Sequence, residues 1–209
     1  MKFRLTYAGI LKSSGNKPKP KNKHALRLAF HNQLSVLWSS NPILREFSQL
    51  EFPNLERAIN PDFVASIDEA LAGEEPTKFS YSELLIAKHK NHDVNWHPLV
   101  TAENELITEV DILMLRPNDS KSIVQGGDID GRVKTIFDAL SIPVNGDVLS
   151  KFSKPPDVFY TLLSDDSLIS KVSVDTDELL ELDEARDPHF AHLIIEITTK
   201  RKNEPYIHI

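Results

Sequence analysis

Cysteine is absent from the 209 residues, which excludes disulfides, thiolate zinc centres and cysteine nucleophiles. Also missing is any run approaching the roughly 18 apolar residues that cross a bilayer, so no membrane partner is expected. The opening residues, Met1-Lys2-Phe3-Arg4-Leu5, alternate instead of building an apolar signal core. A cytoplasmic chain fits these absences. Acidic residues are missing from positions 1–45. Of 24 Lys and Arg, nine fall in that stretch, leaving 15 to face all 31 acids in residues 46–209. The formal net charge of −7 argues against a phosphate-rich partner, because binding phosphates needs cationic surface. The asymmetry argues the other way, for a cationic contact surface beside an acidic one. A lysine-rich loop that merely solubilises the chain is the plainer alternative.

The length suits one sizeable domain, read here as a single unit over 1–209. Phe3 to Ile10 reads as a strand. A basic loop over 11–23 follows, with Ser13-Ser14-Gly15-Asn16 and a Lys-Pro repeat. From His24 the pattern turns helical, with Leu26, Phe30, Leu34, Leu37 and Trp38 on one face. Lys12, Lys17, Lys19, Lys21, Lys23 and Arg27 are the nucleic-acid-binding candidates of this region, with His31 beside them. Residues 39–80 read as an irregular insertion with short helices.

Val94 to Val100 and Leu106 to Leu115 read as paired strands joined by a turn at Thr101-Ala102-Glu103-Asn104. In the second, Thr108, Val110, Ile112 and Met114 alternate with Glu109, Asp111, Leu113 and Leu115. Val133, Ile136, Phe137 and Leu140 then fall at i, i+3, i+4 and i+7, an amphipathic helix. Residues 141–163 read as a second insertion. Leu168 to Val174 reads as a strand, Asp177 to Ala185 as a short acidic helix, and Phe190 to Thr198 as an apolar strand. The class is α+β, a mixed and mostly antiparallel sheet carrying helices.

The chemistry concentrates at Asp128-Ile129-Asp130. Two carboxylates one residue apart share a face of an extended segment. Held close, they repel unless a cation lies between them. A hard divalent ion such as Mg²⁺, with Mn²⁺ as substitute, accepts such oxygens. Asp165-Asp166 would add a third carboxylate. Lys134 follows Asp130 by four residues and Asp138 follows Lys134 by four, so the three share one helical face. Such a site supports phosphoryl transfer, with Lys134 stabilising charge on the phosphate and Arg132 offering a phosphate contact. On spacing alone, a helix cap with a solvated face explains the motif as well.

An EF-hand starting at Asp128 fails, because its twelfth position is Ala139 instead of Glu. An aspartyl-phosphate phosphohydrolase stays open as an alternative, although Gln125-Gly126-Gly127 stands where an apolar strand would precede its motif. His89, His92 and His97 form a loose group better read as buried or scattered than as zinc ligands. Trp38 and Trp96 read as core, and Lys200-Arg201-Lys202 as solvated. Glu109 and Asp111 are candidates to support the metal ligands from behind.

The run Gly127-Asp128-Ile129-Asp130-Gly131-Arg132-Val133-Lys134, continued by Asp138-Ala139-Leu140 and by the later Asp165-Asp166, resembles the RusA-type Holliday junction resolvases. Their signature is Asp-x-Asp-Asn-x-x-Lys opening a helix that ends Leu-Asp-Ala-Leu, with a later Asp-Asp pair before a strand. The resemblance spans about residues 106–175, with a looser match at the Ser-Ser-Gly-Asn run. It implies a dimeric α+β endonuclease cutting branched DNA with Mg²⁺. Asp128, Asp130 and Asp166 would be catalytic metal ligands, Asp165 an auxiliary acid and Lys134 the catalytic lysine. Gly131 stands where the family has Asn, and glycine offers no side-chain hydrogen bond. The chain is also nearly twice the usual family length. A binding protein that has lost cleavage is therefore a second expectation.

Overall fold

The computed structural model describes residues 1–14, 20–51, 79–91, 93–117, 129–144, 156–180, 187 and 189–202. In chain order these form β1 (Lys2–Ile10), α1 (Pro20–Ser40), α2 (Pro42–Ser48), α3 (Tyr81–Lys88), β2 (Lys90–Asn91), β3 (Val94–Val100) and β4 (Leu106–Arg116). Then come α4 (Ile129–Leu140), β5 (Phe159–Leu163), one turn of 3₁₀ helix (Asp166–Leu168), β6 (Ile169–Glu178) and β7 (Phe190–Arg201). One sheet has the order β1-β7-β4-β6 and a second the order β2-β3-β5. The first is antiparallel except where β4 meets β6, and β3 pairs with β5 in parallel. The fold is α+β. Among the described residues no helix is long and apolar enough to cross a membrane.

Alternation in β4 works as its sequence requires. Thr108, Val110, Ile112 and Met114 are buried, and the residues between them are not. The register continues that face across the sheet, setting Leu5 beside Ile195, Ile195 beside Ile112 and Ile112 beside Val174. Leu26, Phe30, Leu34 and Trp38 of α1 join the same core, and α1 lies against β1, β5 and α4. Each fully buried aliphatic or aromatic side chain contributes about 1.5–3 kcal/mol.

The opposite face of the sheet is an array of ion pairs. Lys2 and Arg4 reach Glu196, Lys200 reaches Glu109 and Lys171 reaches Asp111. Such exposed pairs are worth about 0–1 kcal/mol each. β1 is an edge strand, and α1 covers part of that edge. The Thr6 amide donates to Gln33 Oε1 at 2.9 Å, and Gln33 Nε2 donates to the Thr6 carbonyl at 2.7 Å. One glutamine thus does for Thr6 what a neighbouring strand would do.

Several expectations are corrected. β3 and β4 exist as strands but do not pair with each other, since they belong to different sheets. β3 is buried along nearly its whole length, the pattern of a strand covered on both faces. The intervening turn passes through Glu105 at φ 53° and redirects the chain. The second expected insertion contains β5, which is almost wholly buried, so residues 159–163 are core. The expected acidic helix does not begin at Asp177, because β6 continues through Glu178. Residues 181–186 lie outside the described residues, as do 52–78 of the first expected insertion. The capped helix α3 was not anticipated. Its Ser80 accepts from the Glu83 amide while the Glu83 carboxylate accepts from the Ser80 amide, the reciprocal pair that starts a helix.

Candidate functional site

Helix α4 forms because its apolar positions recur at helical spacing, and Ile136, Ala139 and Leu140 are buried in the main core. The polar row of the same helix behaves unevenly. Asp130 lies in the first turn and is exposed, where the helix dipole favours a carboxylate. Lys134 is 63% exposed and stands 3.7 Å from Asp138. Asp138 is three-quarters covered, because Lys23 of α1 pairs with its other oxygen and Arg27 donates to its main-chain carbonyl at 2.5 Å. The third member of the row is therefore used in docking α1 onto α4. Asp128 lies outside the described residues.

The chain leaving β1 runs along the first turns of α4. Arg132 donates to the Leu11 carbonyl at 2.5 Å, Thr135 Oγ1 to the Lys12 carbonyl at 3.1 Å, and the Ser14 amide to the Gly131 carbonyl at 2.9 Å. Thr135 Oγ1 also lies 2.9 Å from the Gly131 carbonyl. These bonds place Lys12 beside the start of α4. They also overturn two expectations. Arg132 and Arg27 are 1% and 2% exposed, so neither belongs to a cationic surface. Burial pushes both guanidinium groups down to about 10. For Arg27 the Asp138 charge opposes that shift, and for Arg132 the nearby Arg116 adds to it. Of the other basic candidates, Lys21 is exposed on α1 and Lys23 is tied to Asp138. Lys17 and Lys19 lie outside the described residues.

Asp165 and Asp166 open the 3₁₀ turn and both are exposed. Asp165 Oδ1 accepts from the Ser167 amide at 2.9 Å. Hydrogen bonding by Ser167, through its side chain and then its amide, holds the Asp165 carboxyl below the usual carboxylate range. The turn packs against α4 and β4. Helix α4, which carries Asp130 in its first turn, and the Asp165–Asp166 turn are thus in contact although far apart in sequence, and the strand leading into the turn meets the chain just after the far end of α4, where Ser141 bridges Leu163. Their donors are carboxylate oxygens, the type a hard divalent cation takes. Among the described residues, no three His, Asp or Glu side chains are grouped to hold a metal ion.

Glu109 and Asp111 are not behind this site. They face the opposite side of the sheet, paired with Lys200 and Lys171. His97 is an interior side chain and His89 a partly buried one, and burial lowers the pKa of both. His92 lies outside the described residues. Trp38 and Trp96 are core, as expected. A separate cavity of about 310 Å³, lined in part by Arg45, Ser82, His97 and Tyr160, escaped the sequence reading. Its walls come from segments that share no local motif.

No family model, curated protein or solved structure matches the chain.

Proposed function

We propose that the chain is a Mg²⁺-dependent, structure-selective endonuclease for branched DNA such as four-way junctions, working as a cytoplasmic homodimer. The observation that carries the reading is the packing of the Asp165–Asp166 turn against α4, which holds Asp130 and Lys134. The resemblance to RusA-type resolvases assigns the same segments to one centre. Asp128, Asp130 and Asp166 would hold the ion, with Asp165 beside them. Bound Mg²⁺ supplies polarisation of the phosphate and a more acidic water. Lys134 directs an ammonium on a flexible stem at the charge that develops on the phosphate oxygens. Lys12 and Lys21 contribute cationic contacts to the backbone.

A second reading keeps the DNA and drops the cleavage. Gly131 is buried, and its carbonyl lies within hydrogen-bond reach of the Ser14 amide and Thr135 Oγ1. It brings no side chain to orient the neighbouring carboxylates. Labelled four-way junctions and flaps, incubated with Mg²⁺, Mn²⁺ or EDTA, separate the two. The nuclease gives nicks that need the cation, disappear in Asp130→Asn, and fall by about 100-fold or more in Lys134→Ala. Tight binding without nicks establishes the second reading. Phosphate release from small esters with no affinity for DNA overturns both and favours a phosphohydrolase.

A further inference from the structure

α1, α2, α3, β3 and β5 line the half-open cavity of about 310 Å³. It lies at the lower end of the 300–1,000 Å³ range of small-molecule sites. Trp38 of α1 and Tyr160 of β5 supply aromatic wall, with His97 of β3 between them. The Trp38 and His97 rings meet edge-on at 4.3 Å, and the His97 and Tyr160 centroids lie 5.1 Å apart. His97 Nε2 and Ser82 Oγ share a hydrogen bond of 2.9 Å. Arg45 of α2 lines the cavity, is itself exposed, and makes no ion pair among the described residues. The Trp38 indole N–H is buried with no hydrogen-bond partner among the described residues.

Two of the serine hydroxyls lining the cavity have a fixed polarity. Ser39 donates to the Val36 carbonyl and Ser48 to the Arg45 carbonyl, so each presents lone pairs to an incoming N–H group. The cavity therefore combines an aromatic wall, a guanidinium at the mouth and two outward acceptors. Trp38 stands 15 residues along α1 from Lys23, the partner of Asp138, which at 1.5 Å per residue is about 22 Å, and no residue of α4 or of the Asp165–Asp166 turn lines the cavity.

We propose that this cavity binds a small planar anion of mononucleotide size, its ring against Trp38 and Tyr160 and its phosphate on Arg45. The same chemistry is offered by a free mononucleotide or by the phosphorylated end of a single strand. The site does not depend on the acidic segments and stands or falls without them.

The test is calorimetric titration of the full chain with adenosine monophosphate, adenosine and inorganic phosphate. The monophosphate binds, and each fragment binds at least about tenfold more weakly, because the two contacts act together. Arg45→Ala, a surface change that leaves the fold intact, weakens the monophosphate by about tenfold or more and leaves adenosine unchanged. Ser82→Ala, on the ring side of the cavity, weakens the monophosphate and adenosine alike and leaves their ratio unchanged, and a changed ratio overturns the assignment of the phosphate to Arg45. A short 5′-phosphorylated single strand distinguishes the sources. If it displaces the monophosphate, the site takes strand ends, and if it does not, the ligand is a free nucleotide. Failure of the monophosphate to saturate at millimolar concentration overturns the proposal. Binding that is indifferent to Arg45→Ala also overturns it.

Discussion

At position 97 an imidazole occupies a place where its charged form costs too much. Burial pushes the His97 pKa down from 6.5 to about 4, with the proximity of His89 acting in the same sense and a hydrogen bond to its own backbone opposing. Above pH 6.5 the ring is neutral in folded and unfolded chains, and its contribution to stability is complete. As the pH falls, the unfolded chain takes up the proton first. Stability is therefore lost between about pH 6.5 and pH 4, and the loss levels off once the folded protein also protonates. The difference amounts to roughly 3 kcal/mol. Urea midpoints at pH 7.5, 5.5 and 4.5 should show a steep fall in the parent and a shallower one in His97→Gln. His24, His31 and His89 shift in the same direction through burial, so part of the fall persists in the variant. An unchanged profile in His97→Gln would mean that the ring is accessible to water. Three histidines within nine positions are visible in the sequence. That His97 is interior and His89 partly covered depends on α3 and β3 packing together, a long-range fact with no local signal.

Among the elements, α4 shows how far periodicity reaches. Val133, Ile136, Phe137 and Leu140 announce a helix and its buried stripe, and the helix is there. The helical spacing also places Asp130, Lys134 and Asp138 in one row. It does not reveal that α1 lies across the end of that row and takes Asp138 for docking. The two pairs at Asp138 should differ in strength. Lys23 and Asp138 are each about a quarter exposed, whereas Lys134 is mostly in solvent. Double-mutant cycles by urea denaturation should give a coupling of about 1 kcal/mol for Lys23 with Asp138 and about 0.3 kcal/mol for Lys134 with Asp138. The role proposed for Lys134 requires weak attachment, since a lysine that serves a phosphate must be able to leave its resting partner. A stronger coupling for Lys134 than for Lys23 would make it a structural residue. The same limit explains the misassigned β3 and β4. Alternation identifies each strand, but strand partners are set by packing across the whole chain, and a turn that redirects the backbone at Glu105 looks in sequence like a hairpin turn.

For the whole molecule, the charge asymmetry is legible from composition, but its surface is not. Nine basic residues precede the first acid, and counting them all as contacts overstates the cationic face. Arg27 and Arg132 are interior and Lys23 is engaged with Asp138. Lys2 and Arg4 are committed to Glu196 on the ion-paired face of the sheet. Among the described residues the cations left to meet the DNA backbone that the proposed function requires are chiefly Lys12, Lys21 and Lys134. The affinity for a branched duplex should then fall with salt at a slope set by few phosphates, about 0.9 per phosphate neutralised. Anisotropy titrations of a labelled four-way junction between 50 and 200 mM salt read that slope directly. Lys21→Ala should reduce its magnitude by about one. Arg132→Lys should leave the slope unchanged while lowering the urea midpoint, because the buried guanidinium holds the Leu11 carbonyl and its replacement disturbs that contact. If Arg132→Lys flattens the slope as Lys21→Ala does, the guanidinium reaches phosphate and its interior placement is overturned. If neither change alters the slope, DNA is held elsewhere on the molecule and the N-terminal lysines serve only solubility.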